Sequence, residues 1–179
     1  MKNGKKIRDI VYGFIELDEQ EIEIINHPAF QRLRRIRQLA LTDMVYPGAV
    51  HSRFEHSIGV MQMATDMYDS LISKDECRQI LKDKLGLNEV GIGRYRKIIR
   101  LAALLHDIGH APFSHSGEDL LCKLPEQHIN YQHGAQKRYT HEDYSIAIIK
   151  EKFSDIIENH TLNNNNAIKA VSYTHLRAH

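Results

Sequence analysis

Cysteine is scarce in this 179-residue chain. Cys77 and Cys122 are the two copies, with no C-x-x-C spacing, which argues against a disulfide framework and for a reducing compartment. Long apolar runs are missing as well. Nothing approaches the roughly 18 consecutive apolar residues of a membrane helix, and the opening MKNGKKIRDI is basic without the apolar stretch of a secretory signal. An excess of one charge is also lacking: 24 Lys and Arg face 23 Asp and Glu, for a formal net charge of +1. No global field therefore points to nucleic acid or to a membrane surface. What these absences leave is a soluble, cytoplasmic protein, with 42% hydrophobic and 26% charged residues, enough for one domain with its own core.

The periodicities are mostly helical. "KKIRDIVYGFIELD" alternates and reads as an extended segment or small hairpin with Gly13 near the bend. "DEQEIEIIN" gives a short helix that stops before Pro28. "PAFQRLRRIRQLA" is expected to start a helix at Pro28 and to bury Phe30, Leu33, Ile36 and Ala40. "TDMVYPGAV" is a loop around Pro47-Gly48. From Phe54 to about Ser73 apolar residues step by three and four, the mark of a long amphipathic helix. "KDECRQILKDKLG" gives another, with Gly86 as its stop. "RYRKIIRLAALLHDIGH" is the most apolar helix, ended by Pro112. Residues 123–140 read as a loop or lid, and "HEDYSIAIIKEKFSDII" as the last helix. The fold class is all-α, one domain over residues 1–160. Residues 161–179, with the run Asn163 to Asn166 and the ending "SYTHLRAH", are set aside as a low-complexity, non-native tail.

Histidine is what the chain has in quantity, with twelve copies. "LLHDIGHAPFSH", residues 104 to 115, places three of them and an aspartate in a run that otherwise looks like core. If the helix continues, His106 and His110 are i and i+4, share a face and lie about 6 Å apart along the axis, with Asp107 beside them. Imidazole and carboxylate together suit a transition ion such as Mn, Fe, Co or Zn. His56, at the start of the upstream helix, supplies a third ligand. A single histidine on an apolar helix is ordinarily a core residue; this many, so spaced, is a metal site.

The stretches "FQRLRRIRQLALTDMVYPGAVHSRFEHSIGV", "LAALLHDIGHAPFSH" and "THEDYS", in this order, resemble the HD-domain phosphohydrolases, and within them the branch of deoxynucleoside triphosphate triphosphohydrolases. Ile108-Gly109-His110 differs from the Ile-Gly-Lys of the cyclic-dinucleotide phosphodiesterases. His110 and Ala111 stand where hydrolases of the guanosine alarmone carry two acids. The resemblance implies an HD-type helical bundle and a divalent metal (Mn, Fe, Mg, Zn or Co) held by His56, His106 and Asp107. It implies His110, His115 and His141 as active-site histidines, with Glu118 as a carboxylate partner to one of them. Arg53 is then the arginine on substrate phosphate, and Gln38 the glutamine beside the deoxyribose. The implied activity is hydrolysis of a dNTP to deoxynucleoside and triphosphate, with His115 as general acid, His141 aiding phosphate binding, and a homo-oligomer left open.

Three departures accompany the resemblance. The family's Asp-Pro-x-His-Gly reads Asp9-Ile10-Val11-Tyr12-Gly13 here. Where a mammalian member has an aspartate for a regulatory guanine, this chain has Asn26. The family's fourth metal ligand is an aspartate well beyond the residue matching His141, whereas Asp143 and Asp155 come too soon. The sequence thus reads as the N-terminal part of a longer enzyme. The alternatives are a non-catalytic nucleotide-binding fragment or a phosphohydrolase of another nucleotide ester.

Among the remaining residues, the arginines of "QRLRRIRQ" are expected on a solvated face, and Tyr46 and Phe54 in the core. His51 is either close to the metal site or a plain loop residue. His27, His128, His133 and His160 are expected at the surface, and the two cysteines are expected to be structural.

Overall fold

The computed structural model describes residues 5–125 and 138–160, apart from the side chains of His115, Ser116, Glu118, Asn159 and His160. Residues 126–137 and 161–179, which hold His128, His133 and the tail set aside above, lie outside the described residues.

The chain starts with an antiparallel hairpin of β1 (Lys5–Asp9) and β2 (Gly13–Leu17), in which Ile7 pairs with Ile15. Gly13 adopts a φ of 74° at the bend, a conformation that glycine reaches without a Cβ penalty. Ile15 and Leu17 point into the core while Ile10, Val11 and Phe14 stay exposed. Asp18 then caps α1 (Glu19–Asn26) and Glu21 returns the bond, so each satisfies an otherwise orphaned amide.

The segment from Pro28 departs from its expected continuous helix. It forms only α2 (Pro28–Gln31) and one 3-10 turn (Arg32–Arg35) before Ile36 goes extended. Phe30, Leu33 and Ile36 are buried as expected. The regular turn is broken because backbone bonds pull the chain across to the next element: Gln38 N–H donates to His51 O, and Arg53 N–H to Ile36 O. Ala40 sits at φ 50° in the loop that follows. Tyr46, expected in the core, is two-thirds exposed, whereas Phe54 is buried edge-on against Phe30.

The centre of the molecule is the packing of α3 (Arg53–Ile72) against α5 (Glu89–Leu105). Their facing residues, Ile58, Met61, Leu101 and Leu104, are almost wholly buried. In chain order α4 (Asp75–Leu85) connects them, ended by left-handed Gly86. Polar bonds fix the pair along its length. Tyr68 OH donates to Ile92 O at 2.8 Å, and Arg96 binds Asp69 through two bonds of 2.7 Å. Deeper in, Arg100 meets the Glu21 carboxylate at 2.7 and 3.0 Å, Thr65 Oγ1 at 2.9 Å and Glu16 O at 3.1 Å. Hairpin, α1, α3 and α5 therefore converge on one buried guanidinium, whose charge is compensated in place.

The last helix is one continuous path through α6 (His141–Ile148), a π-helical turn (Ile149–Phe153) and α7 (Ser154–His160). Its wide turn directs Ile149 and Phe153 into the core. Gln20 Nε2 ties this end to α1 by donating to the carbonyls of Ile156 and Ile157. Among the described residues no helix is long and apolar enough to cross a membrane. Among the described residues the regular elements are helical except for the N-terminal hairpin, in line with the expected fold class.

Candidate metal centre

The central helix ends earlier than its apolar pattern suggests. α5 stops at Leu105 with His106 as its C-cap, six residues ahead of Pro112, so the helix-face relation expected for His106 and His110 does not hold. Two tight turns replace it, closed by Ile108 N–H to Leu105 O and His110 N–H to Asp107 O. The break has partners on both sides. Arg32 donates from Nη1 to His110 O at 2.8 Å and from Nη2 to Ile108 O. Ser145 Oγ accepts from Gly109 N–H and donates to His106 O. Backbone groups that a longer helix would have satisfied internally are thus satisfied from two other elements.

These turns bring the candidate ligands together around Asp107. His56, in the first turn of α3, places Nε2 3.6 Å from Asp107 Oδ2. His106 Nε2 lies 3.2 Å from Oδ1, and His110 Nε2 lies 3.6 Å from the same oxygen. Donor atoms of His56, His106 and Asp107 all lie within 4.8 Å of one another, and so do those of Asp107, His110 and His141. One carboxylate is therefore shared by two possible ligand groups.

The protonation states suit a divalent cation. His106 Nδ1 sits 2.7 Å from Ala103 O, so the proton resides on Nδ1 and leaves Nε2 as the ligand atom. His56 is shifted below its ordinary value, chiefly because burial disfavours the imidazolium, with neighbouring His106 and Arg53 adding to the effect and Asp107 opposing it. Burial pushes the Asp107 carboxyl up, but the charges of His106, Arg53, His110 and His56 outweigh it and hold it below the usual carboxylate range. Imidazole nitrogens of His56 and His106 and a carboxylate held toward its anionic form are a donor set that fits Mn, Fe, Co or Zn.

Beside this cluster Arg53, only 2% exposed, donates from Nη1 to Asp107 Oδ2 at 2.5 Å and from Nη2 to Ser114 Oγ at 2.7 Å. Ser114 and Phe113 are both in the left-handed region, with φ of 55° and 71°. His141, the first residue of α6, stacks on His110 with ring centroids 3.7 Å apart and 17° between planes. His115 and Glu118 lie on the 3-10 turn after Pro112, but their side chains are outside the described residues. Gln38 is in the loop after Ile36, and its Oε1 is buried without a hydrogen-bond partner. Next to it, Leu39 to Thr42, Phe113, Gly117 and Leu120 line an open cavity of about 560 Å³.

His51 is exposed, though close enough to His56 to disfavour its charged form. His27, expected at the surface, instead packs its ring edge against Phe153 at 4.8 Å and caps α2 through Nδ1. The arginine run is only partly a solvated face. Arg34 lies 3.4 Å over the Phe54 ring, while Arg32 turns inward as described. Arg32, Ser114 and Ser145 carry no signal in the sequence, because each acts through partners dozens of residues away.

Comparison with known proteins gives consistent relatives. Residues 53–179 match the family model "HD domain". The chain is 36% identical over 161 residues to a Dictyostelium discoideum protein named deoxynucleoside triphosphate triphosphohydrolase SAMHD1 homolog, covering 90% of this chain and 27% of that protein. It is 34% identical over 167 residues to the Homo sapiens deoxynucleoside triphosphate triphosphohydrolase SAMHD1, covering 93% of this chain and 22% of that one. The chain thus spans between about a fifth and about a quarter of the length of the curated relatives it matches. Among solved structures, a hypothetical protein from Aquifex aeolicus superposes with a TM-score of 0.66 at 31% identity, over 94% of this chain and 36% of the other.

Proposed function

As the chain belongs to the HD-domain family of phosphohydrolases, we propose that it acts on a deoxynucleoside triphosphate, releasing deoxynucleoside and triphosphate. The observation that carries this reading is the cluster of His56, His106 and Asp107 with Arg53 bonded to its carboxylate. The likeness to two proteins named as dNTP triphosphohydrolases supports the substrate class.

In this reading His56, His106 and Asp107 hold a divalent ion. When bound, the ion supplies Lewis-acid polarisation of a phosphoryl oxygen. The protein's own groups do the rest. Arg53 offers a planar fork to the phosphate oxygens. His110 and the His141 stacked on it face the phosphate chain. Water adds to the α-phosphorus and releases a proton to solvent, the bond from phosphorus to the 5′-oxygen breaks, and His115, which solvent reprotonates, gives that oxygen its proton. The family resemblance gives Glu118 the part of a carboxylate partner to one of the active-site histidines. Gln38, with a buried oxygen in want of a donor, pairs with the sugar. The two free cysteines support a cytoplasmic setting.

One observation favours a second reading, a nucleotide-binding module without turnover. Among the described residues no further carboxylate joins His56, His106 and Asp107, and Asp143 is spent on the Thr140 amide at 3.0 Å. A single experiment separates the two. The chain is analysed for bound metal and assayed with each of the four dNTPs. Release of triphosphate is the expected result. Bound metal with only pyrophosphate or orthophosphate released rejects the triphosphohydrolase reading, and nucleotide binding with no product at all supports the module.

A further inference from the structure

We propose that Ser145 is a positioning residue whose hydroxyl fixes the helix of His141 against the His106–His110 turn and so sets the stack of His141 on His110. The inference rests on the reading above only in what His141 does, which is to bind phosphate.

Ser145 is completely buried, one helical turn after His141 on α6. A serine inside a helix commonly turns its hydroxyl back to the carbonyl four residues earlier, which here would be that of His141. Instead Oγ reaches out of the helix, accepting from Gly109 N–H at 2.8 Å and donating to His106 O at 3.0 Å. Both partners stand where α5 has run out of helical partners. One hydroxyl, donating once and accepting once, satisfies both.

The two backbones are in direct contact at this point. A Cβ on Gly109 would fall inside the van der Waals surface of the His141 carbonyl oxygen and the Ser145 nitrogen. Gly109 immediately precedes His110, and Ser145 follows His141 by one turn. The hydroxyl therefore lies at the base of the stacked pair, and shifting α6 along the turn would slide one ring off the other. The π-helical turn after α6 sets its depth in the core through Ile149, while Ser145 Oγ hydrogen-bonds the turn that carries His110.

The test uses the intact chain loaded with zinc, with Ser145→Ala, Ser145→Cys, His141→Ala and the Ser145→Ala/His141→Ala double variant. Three quantities are measured: metal per chain, the His141 ring-proton NMR signals (identified by their loss in His141→Ala), and affinity for inorganic triphosphate by calorimetry. Ser145→Ala is expected to keep its metal, to move the His141 ring signals and to weaken triphosphate binding about tenfold, the scale of one or two lost hydrogen bonds. Ser145→Cys, close in volume and a weaker donor, shifts both in the same direction by less. The double variant should bind no worse than His141→Ala alone. Ring signals left in place by Ser145→Ala, or losses that add in full in the double variant, overturn the proposal. If the ring signals move while His141→Ala itself leaves triphosphate binding intact, the positioning role stands and the phosphate role of His141 fails.

Discussion

Arg53 and Asp107 are joined across 2.5 Å inside the protein, and the other end of the same guanidinium is bonded to Ser114. One side chain thus links the first turn of α3, the metal-candidate carboxylate and the strained loop after Pro112. Two charges buried together are compensated by each other, and removing one leaves the other exposed to a large desolvation cost.

Arg53→Lys is expected to keep the charge but lose the fork. It should retain bound metal yet weaken triphosphate binding by at least about tenfold, since lysine cannot reproduce paired donors at a fixed spacing. Calorimetry with inorganic triphosphate checks this. Wild-type affinity in Arg53→Lys would remove Arg53 from the phosphate site.

His106→Ala and Asp107→Ala should each abolish stoichiometric metal and activity together, because the remaining donors cannot hold a divalent ion against water. His115→Ala should spare the metal and slow turnover by roughly 10²- to 10⁴-fold, the usual worth of general acid catalysis. Elemental analysis beside a dNTP assay reads both. Full metal content in Asp107→Ala would dismantle the proposed centre, and metal loss in His115→Ala would reassign that residue.

Gly109→Ala inserts one methyl group where the backbones of α6 and the turn touch. Overpacking of this kind costs about 1–3 kcal/mol, and more where backbone is the obstacle. A lowered melting temperature together with altered His141 ring signals is expected. Wild-type stability in this variant would show that the contact yields easily.

Acid should weaken the chelator-treated chain in two steps. His56 is held below its ordinary 6.5 by burial, so between its folded pKa and 6.5 the unfolded chain takes up a proton that the folded chain refuses. Stability therefore falls as pH drops through that interval. Asp107, held below 3.8, contributes stability that is complete above 3.8 and lost as pH falls through its folded value. Urea midpoints recorded across this range, with His56→Gln as the control, should show the upper step flattened in the variant. An unchanged upper step assigns it to another histidine.

The parts of this architecture that depend on neighbours in sequence were legible there. The hairpin with its bend at Gly13, the short α1 that stops before Pro28, the long α3 and the stop at Gly86 all follow from local chemistry and periodicity. His56, His106 and Asp107 could be named because residue type and order mark them. The end of α5 could not be read, because its apolar pattern continues past Leu105 while Arg32 and Ser145 draw the carbonyls of His106, Ile108 and His110 out of the helix. The helix expected after Pro28 fails for a similar reason: its burial pattern is right, but Ile36 and Gln38 spend their backbone bonds on Arg53 and His51. Bonds between residues far apart leave no period to detect.

The buried arginine at the crossing of four elements bears on where this domain may be divided. The family match begins at residue 53, yet Arg100, well inside it, has its carboxylate partner at Glu21 and a carbonyl partner at Glu16. A protein engineered to begin at that boundary would strip the counter-ion from a guanidinium only 7% exposed. The matched segment thus leaves out part of what holds the fold together, because the chain's first fifty residues supply the counter-ion of Arg100.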